Sequence, residues 1–497
     1  MAGGVGGLKV APSPAQAHAP PYIRRMRPTT LLFAFVLSSS AGATIWTVGP
    51  GQTFTAPSQV AGQVQDGDTV NIMAGTYASD VTNWTADDLL LRGVGGFAHL
   101  ESNGLSWGDK AIWVVQGDRT TIEWIEFSEC TSTSNNGAGI RQEGHDLTVR
   151  HCWFHDNENG ILAGTVNPST ITIEYSEFGY NGYGDGFSHN LYINHVDTLY
   201  FRFNYSHHAH VGQELKSRAH VNYIEYSRLS NEATGDASRE IDLPDGGQAF
   251  VIGNVVHQGP QGQNGNLLGF GVESLTNPGP QRLYVINNTF VNERATGNYL
   301  DMHNTVLLKA WNNICAGPGD FVAGGVLPFG ADTASNLITT NIASVQFADP
   351  FTYDYHIPVG SPAQSGGMPA GLAHNGHPLV AWYEYVHPTD SILRCQHALL
   401  DVGAFEHCTF TGIAMEEAPS ILLYPDPATD VLNISFLQGQ VPERIQVVDM
   451  KGRVVQEVRT SGRAIMTLDV SALVPGLYVV RSVASGLPFT GKFTRQR

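Results

Sequence analysis

The sequence predicts an all-β protein, a parallel β-helix followed by a small β-sandwich at the C-terminal end. Three observations predict it: β-type segments of one design recur through the middle of the chain, turn residues separate them, and the texture changes after His407. The recurring segments include TIEWIEFSEC from Thr121, TVRHCWFHDN from Thr148, TIEYSEFGYN from Thr172 and LYVINNTFVN from Leu283. A large apolar residue near the end of each marks the repeat at Phe127, Phe154, Phe178, Tyr205, Leu229, Val256, Phe290 and Ile314. The successive spacings are 27, 24, 27, 24, 27, 34 and 24 residues.

A unit this short cannot bury its own apolar face and must stack on its neighbours. Leucine-rich repeats share the period but need a leucine framework that is missing here. Ile, Val, Tyr, Phe and Thr alternate with polar residues, and no amphipathic stretch is long enough for a helix, so each coil lays two or three short strands into long parallel sheets. Gly, Asn, Asp and Ser between the segments supply the tight turns. Two residues before the apolar marker stand Cys152, Ser176, Ser227, Asn254, Asn288 and Asn312. Asn side chains stacked at such a corner can hydrogen-bond from coil to coil and satisfy polar groups that burial would orphan.

The chain resembles the right-handed parallel β-helix superfamily, whose members include pectate-lyase-like polysaccharide enzymes. The resemblance spans residues 44–407. It rests on the opening WTVGPGQTF…QDGDTVNIMAGTY (Trp46–Tyr77), similar to a first coil, and on DYHIPVGSPAQSGG (Asp354–Gly367) with DVGAFEH (Asp401–His407), similar to a last coil. It implies a right-handed, single-stranded β-helix and leaves the chemistry open.

Composition narrows the partners. A net charge of −18 argues against nucleic acid, which needs a basic footprint, and a polyanionic ligand would have to find a local positive patch. Arg24, Arg25 and Arg27 precede the apolar run Leu31–Leu37, and small residues end at Ala43. This pattern predicts a secretory signal cleaved after Ala43, with Met26 as an alternative start. No later stretch is long enough to span a membrane as a helix. Of the five cysteines, Cys130, Cys152 and Cys315 fall in or beside strand segments and read as buried thiols. Cys395 and Cys408 are placed to pair in an exported protein. No CxxC or HExxH spacing points to structural zinc.

After His407, a polar linker TGIAMEEAPS (Thr411–Ser420) leads to YPDPATDVLNISF (Tyr424–Phe436), IQVVDMKGRVV (Ile445–Val455, with a turn at Lys451–Gly452), LDVSALVPGLYVVRS (Leu468–Ser482) and GKFTRQR (Gly491–Arg497). These four motifs, in this order, resemble the type A C-terminal sorting domain of the type IX secretion system, although Asp426 stands where Asn is commoner. The resemblance implies a β-sandwich that engages the outer-membrane type IX machinery and places the protein outside a Gram-negative cell, secreted or surface-attached. The expected organisation is an N-terminal extension and signal over 1–43, the β-helix over 44–410, a linker over 411–420 and the sorting domain over 421–497.

The densest polar region lies in the central coils. Nine of the nineteen histidines fall between His145 and His220. Of these, His151, His155, His195 and His207, together with His257, recur near strand ends and read as turn residues. In HHAHVGQELKSRAH (His207–His220), with Leu215 inward, alternation puts Glu214, Lys216 and Arg218 on the outer face. In SREIDLP (Ser238–Pro244), with Ile241 and Leu243 inward, Glu240 and Asp242 face outward one strand spacing away, about 4.8 Å. His189 and Tyr192 precede this stripe, Gly269 and Gly271 leave a gap in it, and Asp301 and His303 follow it.

Such a stripe suits a sugar chain lying along the helix, and a secreted polysaccharide-active protein is the expectation. Elimination at a uronate needs its carboxylate neutralised, a base for the C5 proton and a donor for the leaving oxygen. Lys216 is the candidate base, Arg218 the candidate stabiliser and His189 the candidate acid. Tyr192, Glu240, Asp242, Arg239, Asp301 and His303 are candidate substrate contacts. Glu214, Glu240 and Asp242 are the hard-oxygen set that would hold Ca²⁺. Lys216 followed about one coil later by Arg239 also resembles the Lys/Arg pair of β-helical alginate and chondroitin lyases, although alternation from Ile241 would turn Arg239 inward. Two alternatives stay open. Glu240 and Asp242, roughly 6–7 Å apart at the backbone, would fit a glycoside hydrolase. A plain cross-strand charge ladder would fit a non-catalytic glycan binder or adhesin.

Overall fold

The computed structural model describes residues 42–395, 399–408 and 421–496, apart from 426, 437–440, 443, 450–452, 461–464 and 484–489. The expected signal segment up to residue 41, the linker 411–420, the Lys451–Gly452 turn and Asp426 lie outside the described residues.

Short strands wind into a right-handed parallel solenoid, the hand that parallel crossovers take almost without exception. A typical coil runs through Thr170–Glu174, bends at Tyr175, continues as Glu177–Gly179 and returns through Leu191–Ile193. The first two strands of each coil stack, coil on coil, into one sheet of 21 strands, and the third stacks into a sheet of 10. The bend costs conformational energy, because Trp124, His151, Tyr175, Phe203 and Tyr226 hold φ between 50° and 59°, a left-handed region that bulky residues rarely enter. Two rows of contacts over-determine it. The corner rings stack as Trp124–His151–Tyr175–Phe203–Tyr226, with centroids 4.6, 5.1, 4.8 and 5.5 Å apart. The residue after each corner ring from His151 onward turns inward and hydrogen-bonds to the next coil.

That inward row is the ladder expected from the sequence, with a corrected register. The backbone N–H of Cys152, Ser176, Asn204, Ser227, Asn254, Asn288 and Asn313 each donates to the next side-chain oxygen in the series, ending at Asn336. Asn312 is not a rung; Asn313 is. The marker shifts likewise, since Phe178 pairs with Ser206, not Tyr205, and Phe290 with Cys315, not Ile314. The outer face of this sheet is itself covered, so residue size does not reveal direction. Tyr205 faces out beneath Arg228, and Ile314 packs in an apolar cluster with Val345, Phe347, Tyr355 and Phe405. Asn254→Ala removes the acceptor for Ser227 N–H and the donor to Ile224 C=O. At about 1–3 kcal/mol for each buried group left unpaired, the variant should unfold at clearly lower urea concentration than wild type.

Inside the coils, Phe127, Phe154 and Phe178 stack at 4.8 Å intervals. The segment similar to a last coil adds no strand to either solenoid sheet. Residues of 345–405 instead double back as a strap, and Ala370, Ala373, Leu379 and Ala381 pack on Phe203, Tyr226, Phe250 and Tyr284. A hairpin, Tyr383–Val386 with Asp390–Leu393, lies within this strap. Cys395 and Cys408 form a disulfide, and Cys130, Cys152 and Cys315 are buried free thiols. His151 is a corner residue, but His155, His207 and His257 lie within strands, not turns.

The C-terminal segment forms two antiparallel sheets. One holds Ile421–Tyr424, Val431–Phe436 and Ile465–Asp469; the other holds Val454–Arg459, Arg444–Asp449, Gly476–Val483 and Thr490–Arg495. Leu432, Ile434, Ile445, Val447, Tyr478, Val480 and Phe493 form its core. Among the described residues, no helix is long and apolar enough to cross a membrane.

Candidate functional site

The ten-stranded sheet carries a continuous outer stripe. Ladder register sets Tyr192 beside Lys216, Lys216 beside Asp242, Asp242 beside Gly269 and Gly269 beside Asp301. Five coils therefore deliver five expected positions to one line, because side chains opposite each other in a parallel ladder share a face. Lys216 reaches Glu273 at 2.8 Å and Asp242 at 3.4 Å. Arg218 donates to the Tyr192 hydroxyl at 3.0 Å, to Asp245 at 2.7 Å and to Glu273 at 2.6 Å. Arg239 donates to Asp242 at 2.9 Å and to Asp301 at 3.4 Å. A Cβ on Gly269 would stand 2.9 Å from Asp242 Oδ1 and 3.3 Å from the Arg239 guanidinium carbon, so glycine lets that pair lie flat across the sheet. Beside it, Arg239, Gly271, Glu273, Asp301 and His303 line an open cleft of about 410 Å³.

The pairing sets the charge state. Burial pulls Arg218 down, but its bonds to Glu273, Asp245 and Tyr192 outweigh this and hold the guanidinium above its ordinary range. Burial pushes Glu273 up, but Lys216 and Arg218 overcome it and keep the carboxyl below the usual range. His189 is pushed down to about 3, by burial first and then by the Lys216 and Arg218 cations. Its Nδ1 accepts from the backbone N–H of Gln213 at 3.1 Å. The imidazole is therefore neutral, with its proton on Nε2.

Three expectations need correction. Glu214 and Glu240 do not face outward; both are completely buried inside the solenoid. They precede three-residue strands, Leu215–Ser217 and Ile241–Leu243, and strand alternation does not extend into the corner before them. Arg239 reaches the outer groove for the same reason, where alternation would have turned it inward. Glu214 instead repairs a second amide ladder. The N–H groups of Cys130, Asn157 and Asn181 donate to Asn157, Asn181 and Asn190. The series then meets Ala209, which has no side-chain amide, and Glu214 Oε1 accepts the Ala209 backbone N–H at 3.1 Å. Burial pushes Glu214 up to about 8 and Glu240 well above its ordinary value. Glu214, Glu240 and Asp242 therefore do not converge on a cation, and Glu240 with Asp242 is not a hydrolase pair. The groove carboxylates Asp242, Asp245, Glu273 and Asp301 are each already paired with a cation.

The sequence reading missed Asp245 and Glu273, which lie in turns just past the strands. It also missed an aromatic cleft on the other face. Phe97, Trp124, His151, Trp153, Tyr175 and Glu177 line this space of about 810 Å³, walled by Val386–Asp390 of the strap. Its signal was the run of corner residues Trp124, His151 and Tyr175, spaced 27 and 24 apart.

Residues 422–494 match the family model of the secretion system C-terminal sorting domain. The chain thus carries a sorting domain, which covers the two antiparallel sheets of the C-terminal segment. The fold of the solenoid is similar to that of the crystal structure of pectate lyase Pel9A. The TM-score is 0.51 at 14% identity, over 73% of this chain and 96% of that one. At that identity the likeness speaks to the fold alone. No curated protein sequence matches the chain significantly.

Proposed function

We propose that the protein is a secreted polysaccharide lyase that cleaves a uronate-containing glycan by β-elimination. Residues 44–410 are the enzyme body in this reading. The C-terminal domain, 421–497, hands the chain to the type IX machinery of a Gram-negative outer membrane, for release or surface attachment. The observation that carries the reading is the gathering of Lys216, Arg218 and Arg239 on one stripe, in a chain whose net charge is −18. These three cations are what a polyanionic substrate would meet once it displaces a carboxylate now paired with them.

Arg218 and Arg239 neutralise the uronate carboxylate and make the C5 proton more acidic. Lys216 acts as the neutral amine, its ammonium proton having passed to solvent as the substrate displaces Glu273. It takes the C5 proton, the C4–O bond breaks as the C4–C5 double bond forms, and the departing oxygen takes a proton from the Tyr192 hydroxyl. Tyr192 suits this role because its oxygen already accepts from Arg218, which leaves its own hydrogen free. His189 is neutral and serves as a hydrogen-bond donor to the sugar in place of the acid role expected for it. Glu273, the most exposed partner at 45%, gives up Arg218 to the substrate carboxylate on binding. No step passes through Ca²⁺.

The aromatic cleft favours a second reading, a non-catalytic glycan binder, since aromatic rings offer apolar contact to the C–H faces of sugars. A panel of polyuronates and neutral glycans separates the two. The lyase yields an unsaturated, ultraviolet-absorbing product from at least one polyuronate. Retention of glycan without turnover on any member would leave the binder.

A further inference from the structure

A third cluster lies on the outer face of the large sheet, away from the groove. His99 stands beside Glu126 in the ladder, and Ser128 beside His155. His155 Nε2 is 3.1 Å from Glu126 Oε1, and His99 Nε2 is 3.5 Å from the same oxygen. The three ligand atoms lie within 4.8 Å of one another. Tetrahedral zinc, with bonds of about 2.0–2.2 Å to nitrogen and carboxylate oxygen, places its ligands roughly 3.3 Å apart. The two histidine–carboxylate separations already bracket that value.

The outer contacts have the right polarity. His155 Nδ1 meets the Asp156 carboxylate at 2.7 Å, the carboxylate–histidine support that fixes a ligating imidazole with its Nε2 lone pair free. Ser128 Oγ is 2.8 Å from His99 Nε2, a hydrogen bond that a metal at that nitrogen would replace. His155 and His99 both bring Nε2 to the same Glu126 oxygen, so one ion placed there would reach all three groups. The side chains are 21%, 15% and 15% exposed, open enough for entry and sheltered enough to strengthen the bonds.

Other histidines in the same rows offer the contrast. His207 meets Glu177 and His257 meets Glu293, each a single imidazole on a single carboxylate. Among the described residues, only the His99 cluster gathers three such groups. Its members come from three coils, 27 and 29 residues apart, so no short ligand spacing announces it in the sequence.

We propose that His99, Glu126 and His155 form a binding site for a divalent transition-metal ion of the zinc class, with water completing the shell. The ion would clamp three coils beside the aromatic cleft, since Trp153 lines that cleft and packs on His155 at 4.1 Å. The test is zinc chloride titrated into chelator-treated, full-length protein by calorimetry. One ion per chain should bind with a Kd on the order of micromolar or tighter. Glu126→Gln and His155→Ala should weaken it at least tenfold, while His207→Ala leaves it unchanged. A wild type that takes up no zinc, or variants that bind it as wild type does, would overturn the proposal. Carbethoxylation of wild-type histidines, mapped by mass spectrometry, needs no variant. Zinc should protect His99 and His155 selectively, and equal labelling with and without zinc would also count against the site.

Discussion

Replacing Lys216 with alanine is expected to lower the rate of polyuronate elimination by about 10²–10⁴-fold, the usual contribution of a positioned general base. The folded structure should survive. The Lys216 side chain lies on the outer face, and its partners keep other cations, since Asp242 still meets Arg239 and Glu273 still meets Arg218. Far-ultraviolet circular dichroism should match wild type while unsaturated product disappears. Retained activity in this variant would remove Lys216 from the chemistry. A loss of activity together with the β signal would move the effect to folding, and Lys216→Met, which keeps the aliphatic stem, would then decide between them.

Glu214→Gln should change how stability depends on pH rather than abolish folding. The Glu214 carboxyl ionises near 4.5 when unfolded and is pushed up to about 8 by burial in the native coil. Between those values the unfolded chain releases a proton that the native chain retains. The native state then binds more protons, so the contribution of Glu214 is fully present below about pH 4.5 and is lost as pH rises towards 8. At about 1.4 kcal/mol per pKa unit, that loss is on the order of 3–5 kcal/mol. Glutamine resembles the neutral acid and cannot ionise, so the variant should gain on wild type as pH rises through this window. Urea unfolding at a series of pH values reads the difference. A constant wild-type-to-variant difference from pH 4.5 to 8 would show that Glu214 is not held neutral inside the coil.

These two residues mark where the sequence was legible and where it was not. Lys216 was placed correctly because it sits at the centre of a strand, where alternation holds, and the same rule brought Tyr192, Asp242, Gly269 and Asp301 into one row. Glu214, Glu240 and Arg239 were misdirected because each lies one or two residues before a three-residue strand. Corner geometry, not alternation, aims those side chains. The amide ladder was visible as a row of small and amide residues, but it slipped by one position at Tyr205 and Ile314. Both are large side chains that face outward under cover from other parts of the protein, and size alone could not tell an inner wall from a covered outer one. The aromatic cleft depends on a strap that returns over more than 150 residues, beyond any local pattern. By contrast, four ordered motifs identified the sorting domain directly.

The account depends on glycan occupying the Lys216 groove, and the most direct measurement is a crystal structure of the Lys216→Ala variant with a polyuronate oligosaccharide. The sugar should run along the row from Tyr192 to Asp301, with a carboxylate between Arg218 and Arg239 and with Glu273 displaced from Arg218. An oligosaccharide stacked on Trp124 and Trp153 in the aromatic cleft, with the groove ion pairs intact, would contradict it.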